Sequence, residues 1–208
     1  LGLGDASMLR VLTFVTVLSV GAFAMLPATM SGAQTQVSEA DGLAAWDKAF
    51  EVFSHPRCVN CHVPDDNKPR WSGPSYATKG PYHGMGIVAD DTRKRAAGLP
   101  CSACHTKQNL PFPGGAPGAP HWALAPVEMV WWEKSSAEIC EQIKDPERNG
   151  GRTVEEVADH VGNDELVAWG WSPGPGRQPA PHSAAETVAF LLEWQSAGTP
   201  CPASAAAE

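Results

Sequence analysis

Two short segments of this chain carry the same arrangement of cysteine and histidine. In both, two cysteines are separated by two residues and followed at once by a histidine; the segments are 58–62 and 101–105. At this spacing, two thiols reach the two vinyl groups of one porphyrin, and the adjacent imidazole can bind its iron. The pattern predicts two covalently attached haems c, bound through Cys58, Cys61, Cys101 and Cys104, with His62 and His105 as axial iron ligands.

Three other chemistries use the same residue types. Paired C-x-x-C thiols form redox-active dithiols, four cysteines with two histidines can bind zinc, and cysteines of secreted chains often form structural disulfides. This sequence lacks the strand–helix–strand pattern of a thioredoxin, which argues against a redox-active dithiol. Two copies of the full five-residue pattern favour haem over zinc and over structural disulfides.

Each haem iron has a second axial position, whose occupant sets the chemistry. A methionine there raises the reduction potential, a histidine lowers it, and an open position admits a substrate. His83 lies in the long segment between the motifs, which must fold over a haem, and Met85 competes with it there. Met129 and His160 follow the second motif, where both could equally be core residues. We expect the sixth ligands to be found among His83, Met129 and His160, with their assignment to one iron or the other open.

The first 33 residues have the pattern of an export signal. Arg10 precedes an apolar run over 11–26, Pro27 ends the run, and small residues stand at 31–33. The run is shorter than the ~20 residues that cross a bilayer, so an uncleaved membrane anchor is the weaker alternative. Cleavage would place the mature protein in the periplasm or elsewhere outside the cytoplasm.

The export signal and the two motifs together predict a signal peptide over 1–33 and a dihaem domain over 34–208, with possible sub-parts 34–100 and 101–208.

Cys140 and Cys201 lie outside both motifs. In an exported chain, a pair of cysteines left over in this way predicts a disulfide that ties down the C-terminal segment. Two separate buried thiols are the alternative.

The composition restricts the fold. Of 208 residues, 43% are hydrophobic, 18% are charged, 20 are Gly and 19 are Pro, which excludes a disordered chain and a multi-span membrane protein. So many Gly and Pro residues limit regular structure. Helix-capping patterns begin at Ser38, Ser135 or Ser136, Thr153 and Ser183. We expect a mostly α fold with extensive irregular loops, organised around two haems that supply apolar surface to a modest core.

Tryptophans and loop arginines could support the haems. The arginines Arg148, Arg152 and Arg177 could pair with haem propionates or merely solvate turns. Indole rings could pack on the porphyrins or form an ordinary aromatic core. The tryptophans concerned are Trp122, Trp131, Trp132, Trp169 and Trp171.

The net charge bears on partners. A formal charge of −8 argues against nucleic acid, which is itself a polyanion. It suits a protein partner with a basic patch, whose association would weaken as salt rises.

The chain resembles a family of secreted dihaem cytochromes c, often described as cytochrome subunits of isoquinoline 1-oxidoreductase-like molybdenum hydroxylases. The resemblance covers nearly all of the mature chain. Relatives tend to have a second histidine where Asn163 stands, which leaves His160 as the better ligand candidate. The resemblance implies an electron acceptor for a periplasmic dehydrogenase. The expected partners are such a dehydrogenase, for example a molybdenum hydroxylase, and a terminal acceptor. The segments that carry it are 52–62, 83–85, 124–129, 138–151, 160, 169–177 and 201–202.

We therefore expect an electron-transfer protein and not an enzyme: a periplasmic dihaem cytochrome c that relays electrons between redox proteins. Two alternatives stay open. One is a haem subunit built permanently into a membrane or filament assembly. The other is a dihaem peroxidase with one five-coordinate iron, for which the sequence offers no evident paired acid and base.

Overall fold

The computed structural model describes residues 37–72 and 82–204, so the export signal predicted over 1–33 lies outside the described residues. The described part is helical with little sheet, and much of it is irregular, as the sequence predicts. Two short 3-10 turns, Gly84–Gly86 and Cys101–Ala103, lie between the helices. The α-helices are α1 (Glu39–Phe53), α2 (Pro56–Val59), α3 (Ser136–Lys144), α4 (Val154–Asn163), α5 (Ala168–Trp171) and α6 (Ala184–Ser196).

Four helices begin at N-cap residues that the sequence predicts. In each, the cap hydroxyl accepts a hydrogen bond from the third helical N–H, while the carboxylate of that third residue accepts one from the cap N–H. This pair of bonds satisfies donors that would otherwise lack a partner. The caps are Ser38, Ser135, Thr153 and Ser183, so the N-cap of α3 is Ser135 and not Ser136.

The apolar core lies where α1, α6 and α4 meet. α6 packs against both of the other helices. Trp46 of α1 and Trp194 of α6 are fully buried, and their ring centroids are 4.9 Å apart. Phe53, at the end of α1, contacts Trp131 at 4.9 Å and so connects this core to the irregular part of the chain.

The predicted disulfide is confirmed. Cys140 of α3 and Cys201 are bonded, with their Cα atoms 5.7 Å apart. The indole N–H of Trp194 donates to the Pro200 carbonyl at 2.8 Å, which adds a second tie on the same segment. The C-terminal segment is therefore attached to both α3 and α6.

A small hairpin precedes the second motif. Strands β1 (Arg95–Ala96) and β2 (Leu99–Pro100) pair antiparallel. Ala97 and Gly98 between them both have positive φ, 49° and 81°, as in the turns that favour two-residue hairpin loops. The sequence does not predict this hairpin, because strands of two residues have no periodicity and alanine is an unusual residue at positive φ.

Within 37–72 and 82–204, none of the helices has both the length and the hydropathy that a membrane span requires.

Candidate haem sites

The first motif begins on α2. The ring Nδ1 of His55 accepts the N–H of Arg57 at 3.2 Å, and Pro56 occupies the first helical position, where a missing N–H costs nothing. The chain then continues its turn beyond the helix, since His62 N donates to the Cys58 carbonyl at 3.2 Å. His55 is therefore a helix cap in this structure.

The second motif has the same local backbone bond on a shorter turn. His105 N donates to the Cys101 carbonyl at 2.9 Å, as His62 does to Cys58. The four motif cysteines are free thiols within the part of the chain that the structure describes. Each motif thus presents two thiols and one imidazole on a single turn.

Each motif imidazole is held through the same ring nitrogen. Nδ1 of His62 lies 2.9 Å from the Met129 carbonyl oxygen, and Nδ1 of His105 lies 2.8 Å from that of Pro117. Because a carbonyl can only accept, Nδ1 carries the proton in both rings. Nε2 is then left with its lone pair, the state in which a histidine binds a metal.

Each motif imidazole also lies flat on a tryptophan. Trp131 stacks on His62 with centroids 3.6 Å apart, and Trp122 stacks on His105 at 4.5 Å. Both tryptophans belong to one segment, 122–131. The sequence flagged both for packing near a porphyrin or for a core, and the structure places them against the motif histidines.

The segment 122–131 also joins the two motifs through its backbone. Ala125 N donates to the Cys61 carbonyl at 3.1 Å, and Leu124 N donates to the Arg93 carbonyl at 3.0 Å, just before the hairpin that leads into the second motif. The link reaches the second motif, since the Lys94 carbonyl, next to Arg93, accepts Cys101 N at 2.9 Å.

A buried glutamine that sequence reasoning missed supports the first site. Gln142 of α3 is 5% exposed and accepts the indole N–H of Trp131. Its own amide donates to the carbonyls of Glu128 (2.6 Å) and Val130 (3.4 Å), on either side of Met129. Gln142 therefore holds both groups that contact His62. Its only signal in the sequence is a polar residue on the apolar face of a helix.

Asn109 has the corresponding role at the second site. Its side-chain oxygen accepts Gly118 N and the Trp169 indole N–H, both at 3.0 Å. Its amide donates to the Pro173 carbonyl at 3.0 Å. Gly118 follows the carbonyl that binds His105, and a Cβ there would collide with backbone oxygens of 106 and 108. No local pattern marks Asn109, because its partners come from distant loops.

The first site is the more deeply buried. Burial is the main cause that raises the pKa of Cys58 to about 12 and that of Cys61 to about 11. Burial also lowers the pKa of His62 to about 4. At the second site, burial likewise raises the pKa of Cys101 and lowers that of His105. Both motif imidazoles are therefore neutral at physiological pH, which keeps Nε2 available to a metal.

A cavity of about 290 Å³ lies beside the first motif. Its wall is mostly apolar and contains both motif thiols and the motif imidazole. This donor set fits a flat apolar macrocycle that carries two thioether links and one axial imidazole. The lining includes Cys58, Cys61, His62, Trp131, Val157, His160, Val161, Trp171, Arg148 and Arg152.

The structure places the two candidates for the sixth ligand of this site differently. His160 of α4 lines the cavity, and its Nδ1 lies 3.5 Å from an Asp164 carboxylate oxygen. Met129 also lines the cavity, but its backbone lies on the Nδ1 side of His62, away from Nε2. Its terminal methyl packs near Gly150, where a Cβ would lie 3.0 Å from it.

At the second site, His83 lies beside the motif histidine. The centroids of His83 and His105 are 5.8 Å apart. Nδ1 of His83 lies 2.7 Å from the Gly84 carbonyl and must donate to it, so the proton again sits on Nδ1. Met85, its competitor, is 82% exposed and has φ of 64°.

Arg93 links the two motifs, a role that the sequence does not reveal. It is 4% exposed, and its guanidinium donates to the carbonyls of Val63 (2.8 Å) and Pro64 (3.2 Å), directly after the first motif. Its Nε has no hydrogen-bond partner among the described residues. Of the arginines that the sequence suggested, Arg148 and Arg152 line the cavity, whereas Arg177 donates to the Gly115 carbonyl at 2.6 Å.

Among the residues described, no group of three or more His, Cys, Asp or Glu side chains is arranged to hold a metal ion. A haem iron requires no more than two protein side chains, since the porphyrin supplies the other ligands. Comparison of the chain with known proteins finds no family model that matches, no curated protein that matches and no solved structure that matches.

Proposed function

We propose that this protein is an electron carrier with two covalently attached haems, one at Cys58, Cys61 and His62 and the other at Cys101, Cys104 and His105. The observation that carries the proposal is the repeated site. Both motif histidines donate from Nδ1 to a backbone carbonyl, stack on a tryptophan and leave Nε2 available. Bound haem would supply a one-electron ferric–ferrous couple at each site.

We propose His160 as the sixth ligand at the first site. It lines the same cavity as His62, and its charge adds to the burial that lowers the pKa of the His62 ring. Asp164 occupies its Nδ1 side and leaves Nε2 available. Met129 is the less suitable candidate, because its backbone carbonyl lies at Nδ1 of His62 and not at Nε2.

We propose His83 as the sixth ligand at the second site. Two imidazoles that bind opposite sides of one metal ion through bonds of about 2 Å have ring centres about 6 Å apart. The separation of His83 and His105, 5.8 Å, is close to that value. Histidine ligation at both irons would give low potentials and closed coordination, which suits electron transfer better than peroxidase chemistry.

The proposed location is outside the cytoplasm, after export directed by residues 1–33. The Cys140–Cys201 disulfide supports an oxidising compartment. The partners that the family resemblance suggests are a periplasmic dehydrogenase, such as a molybdenum hydroxylase, and a terminal acceptor. A place as a fixed subunit of a larger assembly is the alternative, and native sizing of the purified protein separates the two.

A count of covalent haem tests the proposal. The holoprotein is washed with acid acetone, and its pyridine haemochrome is measured per chain. We expect two haems in the wild type and one each in the double variants C58S/C61S and C101S/C104S. The matched control C140A/C201A removes two cysteines outside the motifs and should keep both haems.

Other counts contradict the proposal. One haem in the wild type leaves no relay between two centres. If the protein contains no covalent haem, zinc binding or disulfide formation becomes the better interpretation of the motif cysteines. High-spin iron with peroxide turnover in the oxidised protein identifies a peroxidase instead.

A further inference from the structure

The second motif lies in a part of the chain that contains no acidic residues. From Thr92 to Val127 there is no Asp or Glu, although the chain contains 23 of them against 15 Lys and Arg. The same stretch contains Arg93, Lys94, Arg95 and Lys107. Arg93 is buried, whereas the other three are exposed.

Exposed apolar side chains accompany these cations. Leu99, in the hairpin before the motif, is 62% exposed, and Phe112, in the loop after it, is 57% exposed. The motif residue Cys104 is itself exposed. The hairpin adjoins the motif directly, since Cys101 N donates to the Lys94 carbonyl at 2.9 Å. We call the exposed residues that flank the motif on either side the second-motif face; they are Lys94, Arg95, Leu99, Lys107 and Phe112.

The surroundings of the first motif are mixed in charge, because carboxylates lie there together with the cavity arginines Arg148 and Arg152. Its thiols lie in the cavity, and the helix that carries His160 is acidic, with Glu155, Glu156 and Asp159 on α4. The carboxylates nearest in sequence to the second-motif face are Asp90 and Asp91. Asp90 accepts hydrogen bonds from Thr92 and Asp91 is exposed, so they temper the positive charge without reversing it.

We propose that the second-motif face is where this protein docks an electron-transfer partner whose own surface is acidic. The inference rests on the proposed function. An apolar centre beside a redox site lets two proteins approach with little ordered water between them, and exposed cations around it steer an acidic surface. Local charge near the contact governs steering more strongly than distant charge, because salt screens interactions beyond about 8 Å. The proposed partner therefore has an acidic surface, whereas the net charge of −8 suggests a partner with a basic patch.

The test measures electron exchange between the reduced holoprotein and an acidic electron-transfer protein, for which a plastocyanin of low isoelectric point is the probe. We expect the bimolecular rate to fall as ionic strength rises. The variant K94E/K107E should react about tenfold more slowly at low salt. The control K48E/K144E makes the same change in net charge on α1 and α3 and should stay within about twofold of wild type.

A second measurement does not depend on electron transfer. The inert anion hexacyanochromate(III) broadens NMR signals of amides near which it resides. Broadening confined to residues 92–112 supports the inference. Broadening elsewhere, a rate that rises with salt, or an equal loss of rate in both double variants overturns it.

The two proposals fail in different ways. Haem content and reversible reduction are measured in each variant first. Absence of either one is a failure of the proposed function. If K94E/K107E contains two haems and is reduced normally but reacts as fast as the wild type, only the docking proposal is overturned.

Discussion

Trp131 lies parallel to the imidazole of His62, with ring centroids 3.6 Å apart and planes inclined by 3°. Trp122 has the same relation to His105, at 4.5 Å and 2°. A stacked indole restricts tilting of the imidazole, and the hydrogen bond at Nδ1 restricts its rotation. One segment, 122–131, therefore supports the imidazoles of both motifs.

Gln142 offers a test of this support at the first site. Q142L keeps the size of the side chain but leaves the Trp131 N–H and two carbonyls without partners. We expect a loss of about 1–3 kcal/mol in the free energy of unfolding, together with a shift in one of the two reduction potentials. Urea unfolding and a potentiometric titration measure these. E141Q, an exposed change on the same helix, should alter neither; loss of stability with both potentials unchanged would reduce Gln142 to a structural role.

Asn109 should act in the same way at the second site. N109L removes the acceptor of Gly118 N and of the Trp169 indole N–H. N109L should shift the reduction potential that Q142L does not change. In the double variant the two shifts should add, because independent sites do not couple. A shift of the same potential by both variants is incompatible with separate support for each histidine.

The axial assignments can be read from single variants. H83M and H160M should each raise one reduction potential, a different one in each case, because methionine favours ferrous iron more than histidine does. M129L should keep low-spin iron at both sites. H182M alters a histidine outside the lining of the cavity and should leave both potentials unchanged. Electron paramagnetic resonance gives the spin state, and a high-spin M129L protein would assign that ligand to Met129 instead.

Removal of the disulfide should lower stability without removing haem. Cys140 and Cys201 are 61 positions apart, and opening a loop of that length costs about 4 kcal/mol through the entropy of the unfolded chain. C140A/C201A should therefore unfold at lower denaturant concentration and still contain two haems. Unchanged stability would show that the ties of α6 to the C-terminal segment suffice without the bond.

The cap of α3 predicts a dependence on pH. Hydrogen bonds from Lys134 and Ser135 lower the pKa of Glu138 from an ordinary 4.5 to about 2. A carboxyl whose pKa is lower in the folded protein stabilises it above the unfolded pKa, and this stabilisation is lost as pH falls towards the folded pKa. The wild type should exceed E138Q in free energy of unfolding above about pH 4.5 and converge with it near pH 2. E141Q is the control, and a constant difference across this range contradicts the assignment.

Much of the local structure could be predicted from the sequence. The starts of α1, α3, α4 and α6 follow from residues three positions apart, and those bonds form wherever the chain runs. The cysteine pair outside the motifs also needed no geometry, only the count that remained. The hairpin before the second motif escaped prediction, because its two-residue strands are too short for any period to show.

The supporting residues could not have been predicted in the same way. The carbonyl that binds His62 belongs to Met129, 67 positions along the chain, and a backbone oxygen leaves no mark in a residue pattern. Gln142 and Asn109 act only because loops distant in sequence pass beside them.

The sequence by itself determined which donor groups each motif offers, since two thiols and an imidazole on one turn are set by neighbours along the chain. Only the tertiary structure decided how each imidazole is held and which motif is the more deeply buried. It also decided that the rings of His83 and His105 lie 5.8 Å apart. The physical reason is the distance over which each relation is made. A turn closes within five residues, whereas burial and the pairing of distant rings depend on the path of the irregular chain between them.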